Sequence, residues 1–242
     1  MSVTALVSGG KDSLYSAYLA ETQGWPVDEL LTLAPSDPES LLFHTPNLSL
    51  VPIQAEAWGR VHRSVPVRGT GEVAEVEGLT RALAGRTGTV VAGAIASSYQ
   101  WGRLHRVCFA LGLRLYTPLW GKAAETVVRE EIGAGLDIRL VHLAAEPLSA
   151  DLLGRRLDGA MLDEIRRRAR EVREVNVAGE GGEYETLVVD APFWKARIAL
   201  DDVECRTESG VSRCIVRRAH LEPHDADARA AGTTATGPDA VP

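Results

Sequence analysis

Three cysteines in 242 residues, Cys108, Cys205 and Cys214, form no CxxC and no Cys/His cluster. That excludes the common zinc spacings. An odd count of separated thiols reads as unpaired cysteines in a reducing compartment, so a cytoplasmic location is expected. Cys108 falls within a helical pattern and reads as a small core residue, not a nucleophile. No apolar run approaches the length of a membrane span and no basic-then-apolar leader opens the sequence, so no membrane partner is expected. Positive charge is in deficit: 26 Lys and Arg face 33 Asp and Glu, a formal net charge of −7. Direct binding to nucleic acid, which wants a basic surface, is disfavoured. Lysine is scarce, with Lys11, Lys122 and Lys195 the whole complement. Apolar residues are not lacking; at 45% they suffice for a core in one large domain or two modest ones.

One of those lysines lies inside Val7-Ser8-Gly9-Gly10-Lys11-Asp12-Ser13. A β-rich run over residues 3–7 leads into this stretch, and an apolar helical pattern from residue 14 leaves it. Two glycines allow a tight turn and close backbone approach to a ligand. Successive N–H groups and the start of a helix attract an anion, with the Ser8 and Ser13 hydroxyls and the Lys11 ammonium as further donors. The pattern is not a Walker loop, because Asp12 stands where Ser or Thr would follow Gly-Lys. A plain strand–turn–helix capped by Asp12 or Ser13 explains the turn but not the gathered donors. Phosphate binding is therefore the expectation.

Further along, strands are expected near residues 30–33, 65–67, 89–93, 115–116 and 138–143, alternating with helices near 53–58, 71–84, 97–112 and 122–132. Val73, Val76, Leu79 and Leu83 are spaced to give the helix over 71–84 one apolar face. The alternation implies an α/β fold, a Rossmann-like, doubly wound, mostly parallel sheet. Ligands of such sheets bind beyond the carboxyl ends of the strands. There Gly93, Ala94 and Ser97 leave space, although close strand–helix packing alone would explain Gly93 and Ala94. From about residue 147 the texture changes. Arg166-Arg167-Arg168 reads as a solvated helix face. Residues 177–186, VAGEGGEYET, set Glu180, Glu183 and Glu185 around glycines, either as a hairpin turn or as carboxylates for Mg²⁺ or a cationic group. A β-hairpin is expected around Glu208-Ser209-Gly210. Beyond Leu221 there is no aromatic residue, and the chain cannot bury a core. The expected organisation is a first domain over residues 1–145, a smaller C-terminal α+β domain over 146–222 and a disordered tail over 223–242.

SGGKDS resembles the pyrophosphate loop (PP-loop) of the adenine-nucleotide alpha-hydrolase superfamily. With Phe43-His44-Thr45, VAGAIASSYQ at residues 91–100, LYTPLWG at 115–121 and VAGEGGEYETLVVDAP at 177–192, in that order, the sequence is similar to the diphthine–ammonia ligase family from near residue 1 to about residue 222. The acidic-glycine block is the most specific of these motifs. The resemblance implies amidation of diphthine on translation elongation factor 2, with ATP and ammonium consumed and AMP and pyrophosphate released. Mg²⁺ is expected alongside ATP, with no ligand assigned beyond Asp12 as an orienting group for the loop or a metal. Ammonium is taken free, since no glutaminase-type cysteine is present. A homodimer is left open.

The resemblance also distributes roles. Ser8, Gly9, Gly10, Lys11, Asp12 and Ser13 would hold phosphates, with His44, Thr45, Gly93, Ala94, Ser97, Tyr99 and Gln100 completing the nucleotide set. His44 read without the resemblance is an ordinary polar residue at a loop edge. Trp120, Gly121, Glu180, Gly181, Gly182, Glu183, Tyr184, Glu185 and Thr186 would face the acceptor. Among all of these, Lys11, Asp12, Glu183 and Glu185 are the expected catalytic groups. Diphthine carries a trimethylammonium group suited to carboxylates and aromatic faces, so Tyr184 or Trp120 could stack on it. One departure is Leu6-Val7 before the glycines, where many relatives have an aromatic. A tRNA-modifying PP-loop enzyme, a small-molecule amide synthetase and a non-catalytic nucleotide sensor are the alternatives.

Overall fold

The computed structural model describes residues 2–35, 47–170 and 175–224. His44, Thr45 and residues 225–242 of the expected tail lie outside the described residues. Among the described residues no helix is long and apolar enough to cross a membrane.

The first half alternates strand and helix: β1 (Val3–Leu6), α1 (Lys11–Thr22), β2 (Glu29–Pro35), α2 (Val51–Trp58), β3 (Val61–Val67), α3 (Gly71–Leu83), β4 (Thr89–Val91), α4 (Ser98–Ala110), β5 (Arg114–Tyr116) and α5 (Ala124–Gly133). The five strands form one sheet in the order β3-β2-β1-β4-β5, and every pairing is parallel. Strand side chains alternate between two buried faces. Val3, Ala5, Leu30 and Val91 join α1 and α2 on one face, whereas Leu31, Leu33, Val90 and Ala92 join α3 and α4 on the other. With both faces covered, the inner strands β1 and β4 are buried along nearly their whole length, whereas the edge strand β3 is mostly exposed. The doubly wound expectation holds. One helical face differs from its sequence pattern: Val73 is 71% exposed, and α3 buries Glu75, Gly78, Leu79, Ala82 and Leu83 in its place. Only the later turns of α3 carry buried apolar side chains.

The second sheet is antiparallel, with the order β7-β6-β9-β8. It is built from β6 (Asp137–Leu143), β7 (Tyr184–Asp190), β8 (Ala196–Glu208) and β9 (Val211–Pro223), with α6 (Gly159–Ala169) beside it. The alternation of the sequence assigns β6 to the parallel sheet. Its partners are instead β7 and β9, both antiparallel. A short alternating apolar run fits either kind of sheet, and the choice comes from partners distant in sequence. The unit expected from residue 146 onward therefore shares its sheet with β6. A single apolar core joins Val3, Leu14 and Val51 of the first half to Leu140, Leu162, Val188 and Trp194 of the second.

The β8–β9 hairpin turns at Ser209 and Gly210, both at positive φ (51° and 82°), the two-residue turn that suits strand twist. Its register sets Cys205 opposite Cys214, and the two form a disulfide. This corrects the reading of all three cysteines as unpaired, because a hairpin turn hides the facing of residues nine apart. Cys108 is buried, and burial pushes its thiol up to about 11, as befits an inert core residue.

Candidate functional site

β1 and β4 are neighbours, yet the chain leaves them for helices on opposite faces of the sheet. This is the switch point at which open α/β sheets take ligands. A cleft open to solvent lies there, lined by the turn after β1, the turn after β4 and the acidic-glycine block before β7. Leu6, Leu31, Leu33, Ala92 and Leu104 make an apolar wall.

The turn over residues 8–13 is braced from within and from behind. Ser13 Oγ accepts from Ser8 N–H at 3.1 Å and donates to Gly10 C=O at 3.1 Å. Gly9 has φ +86°, and a Cβ there would stand 2.9 Å from Gln54 Oε1, so the position admits glycine alone. Gln54 Nε2 donates to the carbonyls of Gly9 (2.9 Å) and Val188 (2.7 Å). Val188 N–H donates to Gly9 C=O, and Lys11 N–H to Thr186 Oγ1 at 3.1 Å. The turn is thus tied to β7 of the second sheet. Thr186, expected on the acceptor side, is one of its anchors. Gln54 went unrecognised because nothing local marks a buried glutamine on α2 as belonging to a turn far back in the chain.

Lys11 is 1% exposed, and its ammonium is enclosed by acids. Nζ stands 2.6 Å from Asp12 Oδ1, 3.5 Å from Glu131 Oε2 and 5.9 Å from the centre of the Tyr184 ring. Burial alone would lower its pKa, but Asp12, Glu131 and Tyr184 outweigh that and hold it above the ordinary lysine value. Glu131 on α5 is fully buried, and among the described residues neither carboxylate oxygen has a hydrogen-bond partner. Burial pushes its carboxyl well above the usual range, and Lys11 only partly offsets this. Sequence reasoning missed Glu131; the available signal was an acid one turn beyond Val127 and Val128 on the apolar face of α5.

A group with a raised folded pKa stabilises the fold below its unfolded value, and that contribution is lost as pH climbs through the folded one. For Glu131 the loss begins above 4.5. Glu131→Gln is therefore expected to flatten the fall in stability between about pH 5 and about pH 8, read by urea denaturation. A slope equal to that of the unaltered protein would mean that Glu131 titrates in the fold as it does in the unfolded chain.

The turn after β4 touches the turn over residues 8–13 directly. A Cβ on Gly93 would lie 2.8 Å from the backbone C and O of Asp12 and from Ser13 N. Close packing therefore claims Gly93, with Ala94 and Gln100 also on the cleft wall. Ser97 caps α4, accepting from Gln100 N–H at 3.3 Å, and is not on the wall. Tyr99 is not there either: its hydroxyl meets Glu75 at 3.3 Å and its ring lies under Arg103. Trp120 stacks on Trp101 at 5.2 Å, and Gly121 N–H donates to Ile95 C=O at 2.8 Å; both lie off the wall.

In the acidic-glycine block the carboxylates have separate duties. Glu180 Oε1 accepts from three successive backbone N–H groups, Ile95 (3.0 Å), Ala96 (2.5 Å) and Ser97 (2.8 Å). Glu183 braces its own loop, accepting from Asn176 N–H and Gly181 N–H, both at 2.8 Å. Glu185 lines the cleft, 3.6 Å from His142 Nδ1. Tyr184 is buried, its hydroxyl donating to Val177 C=O at 2.7 Å, with burial pushing its pKa up. Gly179 at φ +74° lets the block pass against Tyr184, where a Cβ would come 2.6 Å from the carbonyl oxygen. Glu183, Gly181 and Gly182 are not on the wall. Among the described residues no group of three or more His, Cys, Asp or Glu is placed to hold a metal ion.

Comparison with known families and proteins identifies the family. The diphthamide synthase N-terminal domain matches residues 1–115, and the diphthamide synthase C-terminal domain matches residues 123–221. A diphthine–ammonia ligase of Schizosaccharomyces pombe is 32% identical over 239 residues, covering 90% of this chain but only 39% of its own length. The Mus musculus diphthine–ammonia ligase is 31% identical, covering 92% of this chain and 93% of its own. That of Rattus norvegicus is 33% identical, covering 84% of each. With both domain families matched in order across nearly all the described residues, the chain belongs to the diphthamide synthase family.

Proposed function

We propose that this chain is a diphthine–ammonia ligase that uses ATP to amidate the carboxylate of diphthine on translation elongation factor 2. The observation that carries the reading is the single cleft in which a braced glycine turn faces the acidic-glycine block across a sheet switch point. A carboxylate is a poor acyl electrophile and needs activation. Its oxygen attacks the α-phosphorus of ATP, the bond to the bridging oxygen breaks, and pyrophosphate leaves. Ammonia, freed of its extra proton, then attacks the acyl carbon and AMP departs.

In this scheme the turn over residues 8–13 holds the pyrophosphate with its backbone N–H groups and hydroxyls, donors fixed in advance. Lys11 adds positive charge from the wall, held by Asp12 and Glu131. The leucine-rich wall takes the adenine. Glu185 faces the acceptor and its trimethylammonium group. Tyr184 is already buried against Lys11, so its ring is not open to that cation, while Trp120 is half-buried, stacked on Trp101 and off the cleft wall. Mg²⁺ fits as an ion that arrives with the nucleotide: Asp12, one-third exposed, is a carboxylate at the turn, and such ions commonly take one or two carboxylates plus phosphates. It would neutralise phosphate charge. A substrate on elongation factor 2 agrees with a cytoplasmic location.

The test is product analysis with unamidated elongation factor 2. AMP and pyrophosphate should form in proportion to amide, and only with ammonium present. Formation of ADP and orthophosphate, or indifference to ATP, would overturn the proposal.

A further inference from the structure

We infer that Glu180 sets the direction in which the nucleotide lies, by filling the second of two anion-attracting turns in the cleft. The inference rests on the reading that the cleft takes ATP. Two helices begin there, α1 behind Gly10 and α4 behind Ser97, at the carboxyl ends of adjacent strands. Each start presents backbone N–H groups and the positive end of a helix, and either could seat a phosphate. The turns are in contact, since a Cβ on Gly93 would reach the backbone of Asp12 and Ser13 at 2.8 Å. A triphosphate entering between them meets two competing cradles.

Only one is open. The Glu180 carboxylate takes the N–H groups of Ile95, Ala96 and Ser97 with a single oxygen. A phosphate oxygen cannot share those donors and would be repelled by the carboxylate. The residue is presented from the acidic-glycine block, where Gly179 and the Glu183 bonds fix the loop that carries it. The phosphates are left with the turn over residues 8–13, and the α-phosphorus with one orientation toward the acceptor. Glu180 is a positioning residue: it acts on the reaction by excluding a second pose.

Calorimetry and product kinetics on the full chain test this. Glu180→Ala is expected to bind inorganic phosphate about tenfold more tightly, because a cradle of three donors is opened. It should keep ATP affinity within about threefold while kcat for pyrophosphate release falls about tenfold or more, the signature of misplaced but bound substrate. Glu180→Gln keeps an acceptor oxygen without the charge and should fall between the two on both readouts; it decides the matter if the alanine variant fails to fold. An unchanged kcat, or kcat and ATP affinity falling together with no gain in phosphate binding, would overturn the inference and leave a structural clasp. Failure of the unaltered protein to bind ATP would instead remove the proposed function itself.

Discussion

Lys11→Met is expected to cost both activity and stability, and to deepen the loss of stability that already accompanies rising pH. Among the described residues the lysine is the cation that faces both Asp12 and the fully buried Glu131. Removing one partner of a buried ion pair typically costs about 3–5 kcal/mol, because the remaining charge stays desolvated. Glu131 can escape part of that cost by holding its proton, so the loss should be largest near about pH 8 and shrink toward about pH 5. The sign follows from a folded pKa already raised by burial, which losing Lys11 raises further. Urea denaturation at the two pH values measures it, and an identical loss at both would refute the account. Pyrophosphate release should fall by about 10²–10³-fold, the usual consequence of removing a fixed charge at a developing anion.

The second large effect is expected at Gly93, and the size of the substituted side chain discriminates between two explanations. If the glycine made room for adenosine, Gly93→Ala would be tolerated and Gly93→Leu would not. The contact is with backbone, however, at 2.8 Å from Asp12 and Ser13, and it begins at the Cβ itself. Both variants should therefore displace the start of α1, lowering stability by about 1–3 kcal/mol and weakening ATP binding about tenfold or more. Thermal melts and calorimetric titration with ATP are sufficient. A normal affinity for Gly93→Ala would return the residue to the adenosine explanation.

These sites differ in how far they could be read from the amino-acid order. The turn over residues 8–13 was legible because its shape is local: glycine, hydroxyl, lysine and helix start are contiguous, and strand β1 supplies the context. The β8–β9 turn was legible for the same reason, since Ser209-Gly210 carries its own φ requirement. What stayed hidden depends on partners far off in sequence. Nothing near Glu180 announces the amides of residues 95–97, and nothing near Gln54 announces Gly9 and Val188. Glu183 shows the converse problem. An acid beside glycines suggests chemistry, while its oxygens serve the backbone of its own loop. The strand β6 was misassigned because alternation specifies a half-buried strand but not its neighbours.

The bonds from Thr186, Val188 and Gln54 to the glycine turn carry a consequence for dissecting the molecule. Residues 1–116 contain every strand of the parallel sheet and Gln54, yet Thr186 and Val188, the turn's other rear supports, belong to β7. A fragment cut between the halves would own the recognition motif without the scaffold that shapes it. Co-expressed halves should regain nucleotide affinity only on reassociation, because the turn's shape is completed by bonds from the other half.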